Sequence, residues 1–201
     1  GTAVSGYYPR AGGFFENLAT GRKCDWERFG GGRWRTQWRN GKGLRLDNSL
    51  SFSVLEQGGY PYAYAGEEIV RDGQTVIRPG EIRYNDPSGY RRTTLSDGLT
   101  LRYDAAAFSV SSITSYQYSD DAMTLDQDFL PLSYFTLRQA RTEHALTEDL
   151  VFRSRDDRSY RWLFGVFGFY RHATMSAPVV FKQTGIEELI LANANAHDGL
   201  Y

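Results

Sequence analysis

The segment Gly58-Gly59-Tyr60-Pro61-Tyr62-Ala63-Tyr64-Ala65 sets three phenols at alternate positions of a stretch broken by glycine and proline. On such a loop, Tyr60, Tyr62 and Tyr64 offer broad faces and a hydroxyl at small entropic cost, which suits recognition of a bulky chelate. Packing of loop against loop would use the same rings equally well. The acidic run Asp120-Asp121-Ala122-Met123-Thr124-Leu125-Asp126-Gln127-Asp128 holds carboxylates, the natural ligands of a hard cation. It lacks the spaced ligands and central glycine of an EF-hand and reads as a solvated loop. His144, His172 and His197 are the three histidines. They would build a haem or metal site only if the fold gathered them, because no His-x-x-x-His spacing or cysteine pairing supports one. Glu143 and His144 are adjacent and so point to opposite faces of a strand, which prevents them from acting with Asp149 as an acid/base group. There is no nucleophile elbow, metalloprotease motif or phosphate loop. The chain is therefore not expected to be an enzyme, and no catalytic residue, metal ligand or cofactor is assigned.

The chain has 201 residues, a formal net charge of −1 and 15% aromatic residues. Balanced charge argues against nucleic acid as a partner, since a binder of that kind is clearly basic. With 41% hydrophobic residues and no apolar run of about 18, there is no candidate membrane helix. A barrel strand faces lipid with every second residue only, so the same composition is compatible with a β-barrel. Cys24 stands alone, which rules out an internal disulfide framework. No basic segment followed by an apolar one opens the chain, so no signal peptide is expected within it.

These residues must be positioned by strands. Trp34, Thr36 and Trp38 alternate with Arg33, Arg35, Gln37 and Arg39; after a short turn, Leu44, Leu46, Leu50, Phe52 and Val54 alternate with Arg45, Asp47, Ser49, Ser51 and Ser53. Period-two patterning of this kind gives strands with one apolar and one wet face. Thr93, Leu95, Leu99, Leu101 and Tyr103 repeat the design against Arg92, Thr94, Ser96, Thr100 and Arg102, followed by Phe108, Val110, Thr114, Tyr116 and Tyr118. A third hairpin runs through Leu146, Leu150 and Phe152 into 160–170, which is apolar on both faces. Asn48, Asp97 and Ile113 are misfits. The reading is six strands in three hairpins, with short turns at 39–43, 104–107 and 154–159 and long connections over 57–90 and 119–138. Residues 186–192 read as a short helix. Short and long connections in alternation, with strands of about ten residues, mark an outer-membrane barrel with periplasmic turns and extracellular loops. Trp38, Tyr103, Phe108 and Trp162 fall beside the short turns, where amphipathic rings form a lipid-facing girdle at headgroup level. The pattern predicts Trp34, Leu46, Phe52, Leu99, Leu101 and Val110 on one side of a continuous sheet, with Arg35, Arg45, Arg92 and Arg102 on the other.

Several stretches also carry a family likeness: Tyr84-Asn85-Asp86-Pro87 leading into Tyr90-Arg91-Arg92-Thr93, then Leu95-Ser96-Asp97-Gly98-Leu99-Thr100 and Ser112-Ile113-Thr114-Ser115-Tyr116-Gln117. With Met123-Thr124-Leu125-Asp126-Gln127-Asp128-Phe129 and Arg161-Trp162-Leu163-Phe164-Gly165-Val166-Phe167-Gly168-Phe169-Tyr170, they resemble the barrel of a TonB-dependent outer-membrane receptor of the iron-complex or siderophore type. The stretch from Gly13-Phe14-Phe15-Glu16-Asn17 to Gly31-Gly32-Arg33-Trp34 fits a loop returning to such a barrel. The resemblance implies an all-β, antiparallel up-and-down meander that forms part of a barrel of roughly 22 strands. Residues 1–201 would be an internal section of about six strands, without the plug domain. It further implies a place in the bacterial outer membrane, contact with its lipid, and uptake of an extracellular small-molecule ligand, by default an iron–siderophore complex. The TonB system would act only through parts of the receptor outside these residues. The alternative is a soluble all-β module that binds a ligand or carbohydrate.

Overall fold

Each long strand forms where the alternation runs, and pairing with its neighbours satisfies the backbone. The computed structural model describes residues 1–155 and 159–192. The short strands β1 (Thr2–Tyr7), β2 (Arg10–Ala11), β3 (Glu16–Asn17) and β4 (Arg22–Lys23) precede the first long pair, β5 (Glu27–Arg39) and β6 (Leu44–Gln57). A small hairpin, β7 (Ile69–Arg71) and β8 (Gln74–Ile77), interrupts the connection to β9 (Gly89–Asp104). Then come β10 (Phe108–Asp126), β11 (Phe135–Ser154), β12 (Leu163–Ser176) and β13 (Val179–Phe181). The main sheet has the order β1-β5-β6-β9-β10-β11-β12, antiparallel throughout. Sequence order and spatial order coincide along the six long strands, which is an up-and-down meander.

The register keeps the expected faces intact. Val4, Trp34, Leu50, Asp97, Tyr116, Leu146 and Tyr170 form one cross-strand row, and Trp38, Leu46, Leu101, Ser112, Leu150 and Val166 form another on the same face. Arg35 pairs with Ser49 and Arg45 with Arg102 on the opposite face. The misfits Asn48 and Asp97 are explained by each other: Asn48 Nδ2 donates to Asp97 Oδ1 at 2.7 Å. Two polar groups on the apolar face thus satisfy one another.

Turn chemistry fixes the short end. Asn40 Oδ1 accepts from the amides of Lys42 (2.7 Å) and Leu44 (3.0 Å), while Gly41 and Gly43 take φ of 71° and 95°. Those angles are open to glycine and costly for a β-branched residue. At the far edge, Ala140 pairs with Ser176 and Leu137 with Val179, so one register runs through β12 and β13. Only Pro178, which has no amide hydrogen to donate, breaks the strand.

Three expectations need correction. The long connection over 119–138 shrinks to 127–134, because β10 and β11 remain paired as far as Asp126 and Thr136. Asp120 to Asp126 therefore belong to a strand and not to a loop; backbone pairing carries the hairpin beyond the apolar band, where polar side chains suit both faces. The opening stretch also supplies a strand, β1, whose large apolar residues are Val4 and Tyr7. The helix over 186–192 exists as a turn of α-helix, Gln183–Gly185, followed by a π-turn, Ile186–Leu191.

The sheet has no second layer among the described residues. Among the described residues, the buried apolar side chains are Cys24, Ile77, Ile82, Tyr84 and Tyr134, all off the long strands. Trp34 is 53% exposed, Phe52 49% and Leu146 42%, in one contiguous apolar face. A water-soluble protein of this length buries such a surface.

Candidate functional site

The small core lies at the loop end, where four segments meet above the sheet. Asn17, on β3, is 1% exposed; its Nδ2 donates to the carbonyl of Tyr84 at 2.8 Å, and the Leu18 amide donates to the Ile82 carbonyl at 2.8 Å. These bonds fasten the β3–β4 hairpin to the long connection 58–88. Cys24 packs with Ile82 and Tyr84, and burial raises both the Cys24 thiol and, more strongly, the Tyr84 phenol above their ordinary values.

Asp126 holds the long connection to the β10–β11 hairpin. It is fully buried, and its Oδ2 accepts from the amides of Asn85 (3.0 Å) and Asp86 (2.8 Å). Its own amide donates to Ser88 Oγ at 3.0 Å. Its Oδ1 is buried with no hydrogen-bond partner among the described residues. Burial first, then the charge of Asp128, pushes Asp126 up to about 7. Asp128 is raised by burial as well, although it accepts from the amides of Leu130 (2.8 Å) and Tyr134 (3.3 Å). Burial and the nearby charge of Asp128 both favour the neutral form of the Asp126 carboxyl. Lys182 pairs with Asp86.

The helical turn closes the cap from the far edge. Arg71 makes a two-pronged contact with Glu188 at 2.6 and 2.9 Å, and the Tyr134 hydroxyl donates to Glu188 at 2.8 Å. Hydrogen bonds from Arg71 and Tyr134 hold the Glu188 carboxyl below its ordinary range. Gly185 fits because its missing Cβ would stand 2.1 Å from the Tyr134 carbonyl oxygen.

Two of the three loop tyrosines come together in this cap. Tyr60 and Tyr62 stack with ring centroids 6.1 Å apart and an 11° interplanar angle, and Tyr62 meets Phe129 edge to face at 5.1 Å. Phe129 has φ of 54°, the left-handed region, and its position beside Asp128 brings its ring to the tyrosines. Tyr62 remains 59% exposed, whereas Tyr60 is half-buried, which raises its phenol. Tyr64 is separate, held by its backbone to Glu81 and Gly80. Nearby, a cleft of about 540 Å³ of mixed character is lined by Arg22, Lys23, Trp26, Tyr84, Asn85 and Asp86. Sequence reasoning missed this cleft and the Asp126 anchor, because both are made by segments some 40 residues or more apart.

Elsewhere, Trp38, Tyr103, Phe108 and Trp162 share the apolar face at the short-turn end, Trp162 in register with Ser154 through the bonds between them. His144 and His172 are direct cross-strand partners. The Nδ1 of His144 lies 2.9 Å from the Tyr116 hydroxyl. His197 lies outside the described residues. Among the described residues, no three His, Cys, Asp or Glu side chains converge as metal ligands. Glu143 faces away from His144, taking hydrogen bonds from Arg141 and Arg171.

A single-layer antiparallel meander with tight turns at one end and a built cap at the other is the architecture of a section of a large β-barrel. Comparison with solved structures agrees. The chain is similar to the ferric yersiniabactin uptake receptor FyuA from Yersinia pestis, with a TM-score of 0.62 and 14% identity over 89% of this chain. It spans 28% of that receptor's length. No known family profile and no curated protein sequence matches the chain.

Proposed function

We propose that the chain is a section, over residues 1–201, of the barrel of a TonB-dependent outer-membrane receptor that takes up a nutrient chelate, an iron–siderophore complex by default. The observation that carries this reading is the exposed apolar face of a sheet with no second layer. The row Leu44–Tyr103–Val110–Phe152–Phe164, apolar across five strands, suits hydrocarbon, and the opposite face, with Arg33, Arg35, Arg45 and Arg102, suits a wet or filled lumen. Trp38, Tyr103, Phe108 and Trp162 then sit at the periplasmic headgroup level as a lipid-facing girdle. The cap lies outside, with Tyr60, Tyr62 and Tyr64 as ligand-contacting groups. The plug and the segment that engages the TonB system belong to other parts of the receptor. A soluble binding module would need a second layer over the apolar rows.

Sequencing the coding region on both sides of this segment tests the reading. A signal peptide and plug upstream, with further barrel strands around it, are expected. Stop codons close to both ends would overturn it.

A further inference from the structure

Two carboxylates stand on the apolar face of the sheet, well inside its rows. Asp97 on β9 is in register with Leu50 and Tyr116, and Glu148 on β11 with Thr114 and Gly168. Along β9, six residues separate Asp97 from Tyr103 at the short-turn end and six from Arg91 at the loop end, about 20 Å of strand each way. Asp97 is thus at mid-depth of the apolar band.

Neutral donors meet both groups. Asn48 Nδ2 donates to Asp97 Oδ1 at 2.7 Å, and the hydroxyls of Ser112 and Thr114 donate to Glu148 Oε1 and Oε2 at 2.5 and 2.6 Å. Such bonds satisfy oxygen lone pairs and leave the charge in place. Between the row Arg28–Glu56–Arg91 and the short turns, the six long strands put no lysine or arginine on this face. Its imidazoles, His144 and His172, are partners of one another, and four residues of strand, about 13 Å, separate His144 from Glu148. An adjoining strand cannot bring a cation to Asp97, because β9 lies three strand spacings, about 14 Å, from β1 and from β12 alike. The counter-charge has to arrive from across the surface. In hydrocarbon an ionised side chain is costly unless paired, and membrane proteins keep such residues where another segment meets them.

We propose that the region around Asp97 and Glu148 is a docking surface for a membrane-spanning partner that brings a lysine or arginine to mid-depth. The inference rests on the membrane orientation proposed above, since only against hydrocarbon are the two carboxylates costly. Leu50, Leu99 and Leu146 around them supply the apolar contact such a partner makes. Gly168, without a side chain, leaves one flank of Glu148 open to approach.

The test uses the full chain in bilayer discs of neutral lipid, with leucine-based transmembrane peptides carrying one central lysine, glutamine or glutamate as probes. The four tryptophans of the chain are the fluorescence donors and a dansyl group on the peptide is the acceptor. The lysine peptide is expected to reach half-maximal transfer at a mole fraction about tenfold lower than the glutamine peptide. Asp97→Asn combined with Glu148→Gln keeps the shape of both side chains and is expected to bring the two peptides level. Transfer to the glutamine peptide should be the same in wild type and double variant, which shows that the variant is folded. Equal transfer to lysine and glutamine peptides in wild type, a lysine preference undiminished in the double variant, or a preference for the glutamate peptide would overturn the inference. Transfer between donor- and acceptor-labelled copies of the chain, lost in the double variant, would assign the surface to a second copy and overturn it as well. If the chain inserts and binds all peptides alike, this inference alone fails. If it does not insert, the membrane orientation fails, and the docking surface fails with it.

Discussion

The Asp126→Asn substitution isolates the anchor of the cap. In the native chain Asp126 is fully buried, its Oδ2 receives two amides, and its Oδ1 has no hydrogen-bond partner among the described residues. The other charged or titratable groups around it are Asp86, paired with Lys182, and the Tyr84 phenol. Its folded pKa of about 7 stands above the ordinary value of 3.8. Below about pH 4 both the closed and the opened cap are protonated, and the group contributes no pH dependence. As the pH rises from about 4 to about 7, the opened state releases the proton while the closed state keeps it, so closure weakens. The rise from 3.8 to about 7 sets an upper bound of about 4 kcal/mol on that loss. Asparagine keeps one side-chain oxygen to accept from the Asn85 and Asp86 amides and has no proton to lose. Hydrogen exchange at those two amides, corrected for intrinsic rate, reads the effect. Wild-type protection is expected to fall by up to about a thousandfold between pH 4 and pH 8, while the Asp126→Asn variant stays level and exceeds wild type at pH 8. Flat wild-type protection, or a variant less protected at both ends of the range, would refute the reasoning.

Three further outcomes follow from the same geometry. Asn48→Leu strands the Asp97 carboxylate on the apolar face and is expected to cost about 1–3 kcal/mol in unfolding from detergent micelles; Asn48→Leu with Asp97→Leu should recover most of that loss. Gly185→Ala drives a methyl into the Tyr134 carbonyl at 2.1 Å, so limited proteolysis should cut the 183–191 turn faster while leaving the β10–β11 hairpin intact. Brominated lipids should quench the fluorescence lost on Trp38→Phe and on Trp162→Phe most strongly when the bromine lies near the headgroup, and weakly at mid-chain.

The strands were legible wherever one face must be apolar. Leu95, Leu99 and Leu101 against Ser96, Thr100 and Arg102 fix a period of two, and the register keeps the two sets apart. Legibility failed where that requirement lapses. Beyond the apolar band, Asp120 and Asp121 on β10 pair with Thr142 and Arg141 on β11, held by backbone bonds and by the Thr142 hydroxyl donating to Asp120 Oδ2 at 3.0 Å, with no apolar face to mark the strand. The strand β1 escaped notice because its two large apolar side chains, Val4 and Tyr7, fall on opposite faces and show no alternation. The tyrosine loop could be located from composition, but Phe129, which completes the cluster, comes from another connection. Nothing local marks Asp126 as buried, because its partners Asn85, Asp86 and Ser88 lie about 40 residues upstream.

The central claim is that one face of the sheet meets hydrocarbon and the other meets water. Nitroxide labels placed singly along β9 from Leu95 to Arg102, with the chain in lipid bilayers, test it through their accessibility to oxygen and to a water-soluble nickel chelate. Oxygen contact should peak at Leu95, Leu99 and Leu101 and nickel contact at Ser96, Thr100 and Arg102, alternating residue by residue. Nickel contact at every position would contradict a membrane-spanning barrel section and leave the apolar rows to be covered by protein.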